Sequence, residues 1–128
     1  MADPIEVSLG AAVARAADEG RPVFVHFTAE RCQPCRELKE AVYPDPVVAS
    51  RLERFVRAEV DIESPEGRGS SRRYRVQTVP VLMMMSPKGE ELRGLRVVGA
   101  RTPEELAVTL DKALEQSGAD RVETTPIE

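Results

Sequence analysis

The chain has 128 residues, 41% of them hydrophobic and 31% charged, with a net charge of −4. That length suits one domain with a core of its own and no need of covalent staples. There is no basic excess to favour nucleic acid and no apolar run of membrane-spanning length, so neither nucleic-acid binding nor membrane insertion is expected.

Met1 to Leu9 carries Asp3 and Glu6 and lacks the charged-then-apolar pattern of a secretory signal. The chain as given is therefore expected to be cytoplasmic, or periplasmic or exported if a leader was removed. Ser8 to Glu19 is Ala-rich, with Leu9, Ala12, Val13 and Ala16 at helical spacing and Gly20 as a C-terminal cap. Val23 to Phe27 is apolar on both faces apart from His26, the pattern of a central, covered strand. A helix then opens near Cys32 and is expected to run to about Tyr43. Pro44 interrupts it, and Asp45-Pro46 restarts a helix through Leu52 as N-cap and first-turn proline.

Phe55 to Asp61 alternates, with Val56, Ala58 and Val60 on one side, and reads as a strand parallel to the first. Ser64-Pro65-Glu66-Gly67 is a turn leading into one or two polar helical turns that end at Tyr74. Val81 to Met85 is a third strand. Ser86-Pro87-Lys88-Gly89 is a hairpin turn into a fourth strand from about Leu92 to Val98. Thr102-Pro103-Glu104-Glu105 has the capping-box pattern, and Leu106, Leu110 and Leu114 mark the buried stripe of a last helix to about Gln116. The order α-β-α-β-α-β-β-α implies a four-stranded mixed sheet with helices on both faces.

Both cysteines sit in Cys32-Gln33-Pro34-Cys35. Residues three apart at a helix start share a face and lie within disulfide reach. A bridge enclosing two residues constrains the unfolded chain little, so the pair is better suited to chemistry than to stapling. Two other readings stay open: an inert pair of core cysteines, or half of a zinc site completed by His26, the single histidine, and carboxylates. Met83-Met84-Met85 has the ligand type of a copper site, but successive strand residues point to opposite faces, which favours core filling. Arg68, Arg72, Arg73 and Arg75 form either a solvated face or a bias towards acidic partners.

The segments Phe27-Thr28-Ala29-Glu30-Arg31-Cys32-Gln33-Pro34-Cys35, Val79-Pro80 and Val98-Gly99-Ala100 together resemble the thioredoxin-like superfamily, over a span from about Ser8 to Gln116. Within it, the stretch from Glu37 to Asp61, with Tyr43-Pro44-Asp45-Pro46-Val47-Val48, looks most like the C-terminal thioredoxin domain of membrane thiol:disulfide interchange proteins. The resemblance implies an α/β thioredoxin-like fold with a central mixed four-stranded sheet, one domain over residues 1–116, and a loose tail over 117–128. It implies a thiol:disulfide oxidoreductase acting on protein disulfides, with no cofactor beyond the redox-active disulfide Cys32–Cys35. A thiol reductase or a membrane donor would supply electrons, and the chain would be a monomer.

The implied roles are Cys32 as attacking sulfur, with Arg31 and Arg36 adding positive potential, and Cys35 as the resolving thiol. Val79-Pro80 would be a cis peptide facing the dithiol, where the alternative is an ordinary trans proline opening a strand. Arg31, Gln33, Pro34, Val79 and Gly99 would line the substrate groove. The chain departs from the family at Thr28 and Arg31, where tryptophans are usual, and at Gln33, usually glycine. His26 stands where the family has a buried carboxylate, and Glu59 where it often has lysine. His26 is then either a core residue or the acceptor of the Cys35 proton. Three other functions remain open: a disulfide oxidant or isomerase, a redox-regulated binding module, and a redox-inactive structural domain.

Overall fold

A strand buried along its whole length, β1 (Val23–Thr28), is the axis of the computed structural model, which describes residues 3–118. It pairs in parallel with β2 (Val56–Asp61) and antiparallel with β3 (Val81–Met85), and β3 pairs with the two-residue β4 (Val97–Val98). The resulting order β2-β1-β3-β4 is the expected mixed four-stranded sheet.

Alternation along the strands builds two cores. Phe24, Leu82 and Met84 share a core with Leu38 and Val42 in the continuation of α2 (Gln33–Glu37), with α3 (Pro46–Leu52) and with α5 (Pro103–Ser117). Val23, Val25, Phe27, Met83 and Met85 face α1 (Leu9–Glu19). The three methionines thus divide between opposite faces and fill both cores. On the α1 side Ala12 and Ala16 have no exposed surface, so small side chains let the helix lie close on the sheet.

Most helix ends follow the capping chemistry of the sequence. Ser8 caps α1, Asp45 accepts the Val47 amide at 3.0 Å, and Thr102 and Glu105 form a reciprocal capping box. Gly20 and Gly118 close α1 and α5 in the left-handed conformation. Helix α5 reaches Ser117 with Gly118 as its cap, and residues 119–128 of the expected tail lie outside the described residues.

Three expectations need correction. The helix after the dithiol is not uniformly α: Leu38–Val42 is a π turn, closed by Tyr43 N–H donating to Leu38 O at 2.8 Å. The polar segment after β2 is a full helix, α4 (Pro65–Arg73), capped by Ser64. Gly67 there touches β2 so closely that a Cβ would lie 1.8 Å from Asp61 O. The fourth strand does not begin at Leu92. Gly94, at φ +76°, turns the chain: Glu91 makes an isolated bridge to Met85 and the Leu92 N–H donates to Met84 O at 2.8 Å, the chain then leaves the sheet, and regular pairing resumes at Val97–Val98.

The N-terminal segment adds a feature absent from the sequence expectations. Glu6 bridges to β2 in parallel: its N–H donates to Arg57 O at 2.9 Å, and its carbonyl accepts the Glu59 N–H at 2.8 Å. Arg15 holds this segment through Asp3 and Glu6 while also binding Glu19.

Candidate active site

β1 stops at Thr28, and the loop Ala29-Glu30-Arg31 delivers Cys32 to the start of α2. Cys32 is the N-cap residue, one position earlier than a first helical residue. In extended conformation its sulfur accepts the Cys35 N–H at 3.2 Å. Pro34, in the first turn, leaves no unsatisfied amide of its own. The two cysteines form a disulfide with Cα atoms 5.2 Å apart. Cys32 keeps 6% of its surface exposed and Cys35 1%, so the outer sulfur belongs to Cys32.

The charged rim is ordered by Gln33. Arg36 donates to the Gln33 side-chain oxygen and, at 3.3 Å, to Glu30 O, which lays its guanidinium along the motif. Arg31, Gln33 and Pro34 are all exposed beside the sulfurs. Because Phe27 pairs with Val81, the preceding Pro80 lies beside Thr28, at the sheet end from which the dithiol loop springs. The Val79–Pro80 bond is cis. Pro80 O accepts the Gly99 N–H at 2.9 Å, which joins the two loops expected to flank a substrate. Gly99 adopts φ +92°, a conformation that favours glycine.

Beneath the motif, His26 projects to the same side as Phe24 and meets Tyr43 edge-on at 5.6 Å between centroids. It is 3% exposed, and neither ring nitrogen has a hydrogen-bond partner among the described residues; the same holds for the Tyr43 hydroxyl. Burial pushes the imidazole pKa down to about 4; Glu59 opposes this, and Lys39 and Arg57 add to it. His26 is therefore neutral at pH 7. Burial also pushes the Tyr43 phenol up.

Glu59 stands opposite His26 in the strand register and forms an ion pair with Lys39 at 2.8 Å. Lys39 was missed by the sequence reading, although it lies four residues beyond Cys35 and hence on the same helical face. A cleft of about 880 Å³ opens here, lined by Cys32, Cys35, Thr28, Lys39, Glu59 and the exposed Val7, among others. Of the expected site residues it gathers the two cysteines alone. Val79, Pro80 and Gly99 belong to the loops at the β3 end, and His26 lies below. No group of three or more His, Cys, Asp or Glu side chains positioned to hold a metal occurs among the described residues.

A family model described as thioredoxin-like matches residues 4–87. Thiol:disulfide interchange protein DsbD 1 of Pseudomonas aeruginosa is 34% identical over 107 residues, covering 82% of this chain and 18% of that protein. DsbD 2 of the same organism is 32% identical over 101 residues, covering 77% of this chain and 17% of its own length. The chain thus spans less than a fifth of these relatives. Among solved structures, a thioredoxin from Thermus thermophilus superposes with a TM-score of 0.81 at 32% identity, covering 98% of this chain and all of the other. A Fasciola hepatica thioredoxin, at 23% identity and a TM-score of 0.66, shares the fold.

Proposed function

Since the chain belongs to the thioredoxin-like family, we propose that it reduces disulfides in protein partners through Cys32 and Cys35. The observation that carries this reading is the asymmetry of the pair: Cys32 is the outer sulfur at a helix cap, accepting a backbone N–H, and Cys35 lies buried beneath it. In the reduced protein the amide and the Arg31 and Arg36 charges favour a thiolate on Cys32. That thiolate attacks one sulfur of the substrate disulfide. The substrate S–S bond breaks, and its other sulfur leaves as a thiolate that takes up a proton. Cys35, once deprotonated, attacks the Cys32 sulfur of the mixed disulfide, forms Cys32–Cys35, and releases the second substrate thiol. Two electrons have moved to the substrate, with no cofactor in the cycle. A dithiol reductase or membrane donor restores the reduced pair, and the working unit is a monomer.

His26 serves as the relay for the Cys35 proton. An imidazole of low basicity stores a proton poorly, but it passes one on if it accepts at one nitrogen while releasing from the other. Glu59, opposite it in the register and paired with Lys39, is the receiving carboxylate once the imidazole turns towards it, since neither ring nitrogen is bonded to it in the disulfide form. Pro80, with no N–H, flanks the sulfurs without donating to them, and Val79 offers its backbone to an extended substrate.

Cys35→Ser should accumulate a mixed disulfide through Cys32 with a disulfide-containing protein, and Cys32→Ser should form none. Turnover surviving in Cys32→Ser would refute the assignment. His26→Ala should slow release of the second thiol and leave the first attack intact; equal effects on both steps would remove the relay.

A further inference from the structure

We propose that the exposed arginines of α4 and the loop after it form a docking surface for acidic residues flanking the partner's disulfide. The inference rests on the oxidoreductase reading and specifies which partners that site takes.

Two sets of arginines differ in their partners. Arg15, Arg21, Arg51 and Arg96 each bind a carboxylate. Arg68, Arg72, Arg73 and Arg75 are all exposed, and none pairs with a carboxylate among the described residues. Arg73 rests its guanidinium over the Tyr74 ring, 5.5 Å from the centroid. Residues 68–75 hold these four cations and no acid, in a chain whose net charge is −4. A negative chain that leaves four adjacent cations uncompensated keeps a local field opposite in sign to its own total.

Topology places that field at the chemistry. Ser64 and Glu66, at the start of α4, line the cleft that Cys32 and Cys35 also line. The other end of α4 runs through Arg75 to Val79-Pro80, which lies beside the end of β1. Arg68 and Arg72, four residues apart, share one face of the helix. Arg31 and Arg36 flank the motif and Arg101 follows Gly99; Arg36 and Arg101 donate to backbone carbonyls, and none of the three pairs with a carboxylate among the described residues. The opposing acids are Asp61, Glu63 and Glu66 at the cleft end of α4, with Glu30 on the dithiol loop. Charge therefore changes sign along the helix, from acidic at the cleft to basic at the cis-proline loop. A partner whose acidic residues lie to one side of its cysteine meets attraction in one orientation and repulsion in the other, which favours encounter and sets polarity.

The test uses the full chain and three short disulfide-linked peptides that differ only in flanking residues: acidic, uncharged or basic. Net charge alone predicts that the basic peptide is preferred; the patch predicts the acidic one. At low salt the acidic peptide should show a kcat/KM roughly tenfold above the basic one. Raising salt to about 0.5 M should shrink that ratio towards unity, as exposed charges are screened. Arg68→Glu/Arg72→Glu should invert the ratio, and Arg68→Gln/Arg72→Gln should reduce it. A ratio within the same protein normalises for any change in folded fraction. Equal rates for the three peptides, or a basic preference, alongside normal turnover of the uncharged hydroxyethyl disulfide, would overturn the proposal and leave the oxidoreductase reading standing. Failure to reduce hydroxyethyl disulfide would overturn that reading and the proposal with it. Capture on phosphatidylserine vesicles that is lost in Arg68→Glu/Arg72→Glu, without any peptide preference, would assign the patch to a lipid surface instead.

Discussion

Acidification to pH 5 should destabilise this protein through His26. The unfolded imidazole has a pKa near 6.5, and the folded one is depressed to about 4 by burial among Tyr43, Phe24 and the sheet. Between those values the unfolded chain binds a proton that the folded chain does not, so stability is complete above pH 6.5 and falls as pH drops towards 4. The full difference corresponds to about 3 kcal/mol, of which about 2 kcal/mol is already lost between pH 7.5 and pH 5. His26→Leu removes the titrating group at similar volume. It also removes two buried nitrogens that have no partner among the described residues, each of which costs on the order of 1 kcal/mol or more. The variant should therefore be at least as stable as the parent at pH 7.5, and the gap should widen by about 2 kcal/mol at pH 5. Urea denaturation of both proteins at pH 7.5, 6 and 5, followed by circular dichroism because the chain has no tryptophan, measures this. Parallel pH profiles for the two proteins would refute the argument, since the proton uptake would then belong elsewhere.

In the reduced protein, Cys32 should be alkylated first by limiting iodoacetamide at neutral pH, because its sulfur is the outer one at the helix cap; peptide mapping that finds Cys35 labelled first would reverse the assigned roles. The midpoint potential should be less reducing than the roughly −270 mV of thioredoxin, since Arg31 and the Gln33-held Arg36 favour the thiolate and with it the reduced state. Equilibration in glutathione buffers with thiol counting by mass checks this, and an equal or lower value contradicts it. Gly67→Ala should lower Tm by roughly 10 °C, because the added Cβ meets Asp61 O at 1.8 Å and backbone must move. A thermal melt within about 2 °C of the parent would show that α4 is free to shift away from β2.

Much of the fold was legible because local signals agreed. The apolar β1, the Asp45-Pro46 restart and the Thr102 capping box each act within a few residues, and the structure keeps all three. The errors share a cause. Leu92, Leu95 and Val97 read as a strand because apolar residues recur, but spacing alone does not separate a pleat from a turn at Gly94. Helix α4, rich in Gly and Ser, has weak intrinsic propensity, and its length depends on Ser64 and on contact with β2. The π turn adds one residue between Leu38 and Tyr43, and no composition signal marks it. At the site, the cysteines were visible as a motif. The Lys39–Glu59 pair was not, because its members are 20 residues apart and meet through the crossover of the sheet.

The bridge made by Glu6 has a bearing on solubility. A sheet with open sides offers unpaired N–H and C=O groups to any extended chain. Here the β2 side is covered by residues before α1, and the opposite side presents only the two residues of β4. The cover is held by charge: Asp3 and Glu6 bind Arg15, and Asp3 also binds Arg21. Strong salt or loss of Arg15 would loosen it and bare a ready template for strand addition. Loss of Arg15 should therefore raise self-association of this chain, although the sulfurs lie in the core on the other face of the sheet from α1.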